Sequence, residues 1–194
     1  MTAESLPGWA YPPAGGFTAD DLDRIPELPP HTELIDGSLV FVSPQKSFHT
    51  LAMFLLEMGL RTQLPDEVRV RREMTVVLGP RNRPEPDLML VRAEAVTEEA
   101  DETGYTAADA VLVVEVVSPE SDERDRKRKP QLYAEAGIPH FWRVEKGTGR
   151  RPVVYVYELD EVTSSYVPTG IYHDRLELPA PFPIDIDLTA IDKL

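Results

Sequence analysis

The chain has 194 residues, 42% of them hydrophobic and 28% charged, enough for one domain with a sizeable core. It contains no cysteine, which excludes a disulfide framework and a thiolate metal site and is compatible with a cytoplasmic protein. A formal net charge of −14 weighs against a general affinity for nucleic acid, because phosphate contacts need cations.

Residues 1–30, with "PGWAYPPAGG" and "PELPP", read as an irregular, Pro-rich and acidic arm. The arm lacks the basic and apolar regions of a signal peptide, and no run in the chain approaches the roughly 20 apolar residues that cross a bilayer. At most it carries a short helix at "TADDLDRI", capped by Thr18. Residues 31–194 then form a single domain. "HTELIDGSLVFVS" predicts a hairpin turning at Asp36-Gly37. In the next segment Leu51, Phe54, Leu55, Met58 and Leu64 have helical spacing, with Ser47 as the cap and Pro65 as the stop. "EVRVRREMTVVLG" reads as one strand with a bulge, "RNRPEP" as a loop and residues 87–91 as a short strand. Residues 94–108 read as an acidic surface loop with a helical turn. "AADAVLVVEVVS" ends in a strand apolar on both faces, as in the centre of a covered sheet. A helix through "KPQLYAEAG" ends at Gly137, and "HFWRVE", "PVVYVYEL" and "SSYVPTGIY" are further strands. The tail supplies a β-edge and one closing helical turn. These elements predict an α/β fold, a mixed central sheet flanked by helices.

The anomaly lies in "VLVVEVVSP", where Glu115 interrupts an otherwise apolar strand. An unpaired charge there costs several kcal/mol, so a salt bridge, a hydrogen-bond cage, a raised pKa or a metal ion must offset it. A structural pairing with Arg69 or Arg71 is one solution. A catalytic one is also open, because Asp87 opens the preceding short strand and Lys129 follows in the basic run "RDRKRK". Carboxylates on adjacent strands about 4.8 Å apart reach a shared hard cation, which orients and acidifies a water, while an amine stabilises charge on phosphate. Two acids and one amine on strand, strand and helix start make a nuclease-type constellation.

The ordered series "HTELIDGSLVFVSPQKSFH", "PEPDLMLV", "VLVVEVVSPES" and "DRKRKPQLYAEAGIPHFWRVE" resembles the Uma-two family, restriction-endonuclease-like proteins of the PD-(D/E)xK nuclease superfamily, over about residues 31–160. The resemblance implies a restriction-endonuclease-like fold, with Asp87 and Glu115 as ligands of Mg²⁺ or Mn²⁺ and Lys129 as the catalytic amine. The superfamily lysine would stand at position 117, which here is Val117, so the amine comes from the following helix. Asp125 and Tyr133, four residues either side of Lys129, would share its helix face. Pro130 places the helix start near Lys129, however, and Asp125 in the preceding loop. Glu33 and His49 are accessory candidates, with a strand-edge role and a capping or packing role as their plainer readings. Arg124, Arg126, Lys127 and Arg128 are either a solvated helix face or a phosphate-contacting one.

The expected activity is Mg²⁺-dependent endonucleolytic hydrolysis of nucleic acid, DNA ahead of RNA, with a homodimer implied by fold relatives that cut both strands. A binding or regulatory module with little catalysis, favoured by Val117 and the acidic composition, and a hydrolase of small phosphate compounds are the alternatives.

Overall fold

In a computed structural model, which describes residues 7–42, 44–97, 103–118 and 123–194, the arm carries a 3-10 turn at Gly8–Ala10 and a helix α1 (Asp21–Arg24). The side chain of Thr18 does not accept a bond from the helix as expected of a cap, although the Thr18 carbonyl accepts the Asp21 N–H at 3.0 Å. Its N–H and hydroxyl donate to Asp21 Oδ2, at 2.7 and 2.8 Å, so the aspartate is the acceptor. Strands β1 (Thr32–Ile35) and β2 (Ser38–Phe41) form the expected hairpin. Asp36 and Gly37 both take left-handed φ, 52° and 77°, which a tight two-residue hairpin turn demands.

Helix α2 (Ser47–Arg61) follows, its N-cap position held by Lys46 rather than Ser47. Its buried face is also rotated from the expected one. Ala52, Met53, Leu56 and Leu60 face the core with His49 and Leu55, whereas Phe54 and Met58 are 43% and 46% exposed. The segment is apolar almost all round, so its spacing leaves the phase open. Small residues settle it: a Cβ on Gly59 would stand 2.8 Å from Ile186, so the helix approaches the tail there.

The expected single strand at 67–79 divides into β3 (Val68–Arg72) and β4 (Thr75–Val77). Glu73 takes a φ of 50° between them, and its N–H donates to Asp87 O. After β5 (Leu88–Arg92) the chain reaches β6 (Gly104–Thr106), which pairs in parallel with β4 outside the main sheet. The expected loop at 94–108 thus holds a short strand, and its residues 98–102 lie outside the described residues. Strand β7 (Ala110–Val116) leads past Pro119, also outside the described residues, to one π-helical turn at Arg124–Arg128 that runs directly into α3 (Lys129–Glu135). Gly137 ends that helix with a φ of 83°, as expected. Then come β8 (His140–Lys146), β9 (Pro152–Asp160), β10 (Ser165–Tyr172), a hairpin of β11 (Arg175–Leu178) and β12 (Ile184–Asp187), and a closing 3-10 stretch at Leu188–Lys193.

Six strands make the central sheet, in the order β10-β9-β8-β7-β5-β3. Only β7 and β8 run parallel; the other pairs are antiparallel. Because successive side chains point to opposite faces, β7 divides its residues between two cores. Leu112, Val114 and Val116 join Ala52, Met53 and Leu56 of α2. Val113 joins Tyr133, Ile138 and Phe141 on the other face, and Glu115 shares that parity. A smaller cluster of Phe17, Ala19 and Leu34 docks the end of the arm. Arg83, 5% exposed, fastens it further by donating to Ala19 O, Asp23 Oδ2, Thr75 Oγ1 and Thr103 Oγ1. No helix among the described residues is long and apolar enough to cross a membrane.

Candidate active site

Glu115 lies inside the sheet because the strand carrying it is central, and it faces α3 because it shares the parity of Val113. Its partners are not Arg69 or Arg71. Lys129 Nζ lies 3.1 Å from the Glu115 carboxylate, and the Tyr133 hydroxyl donates to Oε1 at 2.5 Å. Lys129 also reaches Glu33 Oε1 at 2.7 Å and Asp125 Oδ1 at 3.6 Å. Glu33, Glu115, Asp125 and Lys129 are all buried.

Asp125 is therefore not in a loop, as Pro130 had suggested. The helix continues through it as a π-turn, in which Lys129 N–H bonds to Arg124 O, five residues back. Proline lacks an N–H and clashes with the carbonyl of the turn before it; a widened turn makes room for the ring. Asp125, Lys129 and Tyr133 consequently sit on one face after all.

Asp87 stands just ahead of β5. The β5–β7 register pairs Leu88 with Val114, so one step further Asp87 comes opposite Glu115. Its Oδ2 accepts the Val116 N–H at 2.6 Å, and His49 Nε2 lies 3.0 Å from Oδ1. The other ring nitrogen of His49 is buried with no hydrogen-bond partner among the described residues. Glu33 Oε1 accepts the Glu85 N–H at 2.9 Å, tying β1 to the segment before β5.

The electrostatics follow from four carboxylates around one ammonium. Burial pushes the Glu115 carboxyl well above the ordinary range; Lys129 pulls it down, while Asp125, Asp87 and Glu33 push it further up. Burial alone would lower Lys129, but Glu115, Glu33, Asp125 and Asp87 outweigh that and keep it charged. Burial and the nearby carboxylates raise the Tyr133 phenol, so it stays a donor.

The acids open onto a cleft of about 410 Å³, also lined by His31, Glu73, Glu85 and Arg124. His31, Glu73 and Glu85 went unnoticed in the sequence, although the first and last carry a signal. Each stands two residues before a recognised acid, Glu33 and Asp87, the spacing at which strand side chains share a side, even though His31 itself takes a left-handed φ of 58°. His31 and Glu85 also pair with each other, Nδ1 to Oε1, at 2.5 Å. Burial raises Glu85, and Glu85 in turn raises His31.

The basic run does not form one phosphate-facing surface. Arg124 lines the cleft, Arg126 pairs with Glu145, Arg128 forks onto both oxygens of Asp36, and exposed Lys127 lies 3.4 Å from Glu123.

Among the described residues, no group of three or more His, Cys, Asp or Glu side chains is disposed to hold a metal ion on its own. The donors nonetheless suit Mg²⁺ or Mn²⁺. They are hard oxygens, they outnumber the local cations, and Mg²⁺ characteristically takes one or two carboxylates and completes its shell with water and phosphate.

A mixed sheet with helices on both faces and carboxylates and a lysine at its centre defines a restriction-endonuclease-like fold. The family model for Uma2, described as "Putative restriction endonuclease", matches residues 19–190, and the chain belongs to that family. It is similar in fold to a putative nuclease belonging to DUF820 from Anabaena variabilis ATCC 29413. The TM-score is 0.66 at 15% identity, over 91% of this chain and 98% of that one. No curated protein matches the chain.

Proposed function

We propose that this chain is a divalent-metal-dependent nuclease hydrolysing phosphodiester bonds in nucleic acid, DNA ahead of RNA. The observation that carries the reading is the convergence of Asp87, Glu115 and Lys129 on one cleft, from two neighbouring strands and the helix that follows. Asp87 and Glu115 would hold Mg²⁺ or Mn²⁺, which when bound supplies an acidified water and neutralises charge on the phosphate.

The protein's own groups do the positioning. Val116 N–H and His49 fix the Asp87 carboxylate, and Tyr133 fixes that of Glu115. Lys129, locked between Glu33 and Glu115, presents a fixed positive charge where negative charge grows on the phosphoryl oxygens. Glu33 and Asp125 hold that ammonium in place. Arg124, at the cleft, would contact a neighbouring phosphate.

The test is cleavage of a mixed DNA and RNA panel with Mg²⁺ or Mn²⁺, alongside melting curves with each ion. Metal-stimulated cleavage and metal-induced stabilisation in the wild type, both lost in Asp87→Ala and Glu115→Ala, are expected. Cleavage that survives both substitutions refutes the reading. A second reading, a binding module with the same fold, draws support from the full engagement of Lys129 with its acids and from Val117; metal-induced stabilisation without cleavage would favour it.

A further inference from the structure

A second cavity, of about 840 Å³, lies beside the carboxylate cleft, and His49 and Ser118 line both. Its apolar wall includes the partly buried Phe48 and Leu51 beside the buried Ile191, and its other side is cationic. Of the two acids there, Glu145 is paired with Arg126 and Arg143, and Asp192 with Arg151. Lys146 and Arg150, both exposed, form no ion pair among the described residues. The cavity therefore combines an aromatic ring, an apolar wall and two uncommitted cations, continuous with a site built to face phosphate.

We propose that this cavity seats an unpaired nucleotide adjoining the phosphate at the carboxylate cleft, so that the substrate is a single strand rather than an intact duplex. The proposal rests on the nuclease reading and narrows it. A duplex keeps its base faces stacked internally and offers this wall only charged backbone. An unpaired base covers the apolar wall and stacks on Phe48, while Lys146 and Arg150 meet the phosphates that flank it. The size suits one or two nucleotide units, within the roughly 300–1,000 Å³ typical of pockets for small ligands. The overall charge of −14 points the same way. A long duplex track would need many cations, whereas stacking plus a few local cations suffices for a strand.

The experiment measures binding of short labelled DNA and RNA strands, and of the corresponding DNA duplex, to the full chain without divalent ions. Cleavage does not enter that measurement. A strand of at least one sugar type is expected to bind about tenfold more tightly than the duplex, and the two strand arms identify the sugar. Phe48→Leu keeps an apolar side chain but removes the π-face, and should weaken strand binding about 5- to 50-fold. Lys146→Ala combined with Arg150→Ala should lower the slope of log affinity against log salt by about 1–2. Duplex binding equal to or tighter than both strands overturns the proposal, as does undiminished strand binding by a folded Phe48→Leu. Should Phe48→Leu lower Tm, the exposed pair decides, and an unchanged salt slope overturns it. Failure of the nuclease reading shows separately, as strand-selective binding with no metal-stimulated cleavage.

Discussion

The two faces of β7 follow opposite rules. Leu112, Val114 and Val116 enter a hydrocarbon layer against α2, where their contribution is burial, about 1.5–3 kcal/mol for each fully buried side chain. On the other face Val113 is likewise packed, but Glu115 is held by an ammonium and a phenol. A buried ion pair is often no better for stability than well-packed apolar groups of the same volume. One face is thus selected by packing. The other retains charges that the proposed nuclease reading puts to use in chemistry.

That contrast can be broken most forcefully at the carboxylates. Glu115→Gln and Asp87→Asn keep shape and should reduce metal-stimulated cleavage by about a thousandfold or more, on the scale of losing a preorganised electrostatic group. For Glu115→Gln, Tm should stay within a few degrees, because a costly buried charge is lost along with its attraction to Lys129. Leu56→Ala on the α2 face should do the reverse, costing about 2–5 kcal/mol in denaturant unfolding while cleavage per folded molecule stays near wild type. Tyr133→Phe lies between. It removes a hydrogen bond to a buried carboxylate, about 1.5–3 kcal/mol, and should lower cleavage more than it changes substrate affinity, because Glu115 loses its fixed orientation. The smallest effect belongs to the Arg128–Asp36 fork at the surface, where Arg128→Gln should change stability by no more than about 1 kcal/mol, less at high salt. A large loss of cleavage in Leu56→Ala, or none in Glu115→Gln, would erase the distinction between the faces.

Much of this was legible in the sequence where one residue type has one use. The Asp36-Gly37 turn needs two left-handed residues, the β7 run could only be central, and a charge within it demanded partners. Lys129 stood out in the basic run beside the two acids, and the family resemblance supplied Asp125 and Tyr133; the helix gathers all three around Glu115. What escaped was decided by tertiary approach. The phase of α2 depends on how closely Gly59 meets Ile186, which a nearly uniform apolar segment does not encode. The division of β3 from β4 hinges on the backbone of Glu73, a residue type with no special liking for that conformation. Arg83 looked like loop charge, yet it gathers the arm, β4 and Thr103 into one network.

The widened turn at Arg124–Arg128 carries a consequence for how this segment tolerates change. Each residue of an α-helix advances the azimuth by about 100°. Deleting one residue between Asp125 and Lys129 would turn the Arg124–Lys129 bond into an ordinary i→i+4 one and leave Asp125 only three residues from Lys129. Its carboxylate would then be aimed away from the ammonium while Lys129 and Tyr133 stayed. Point substitutions there should therefore be absorbed more readily than any change of length.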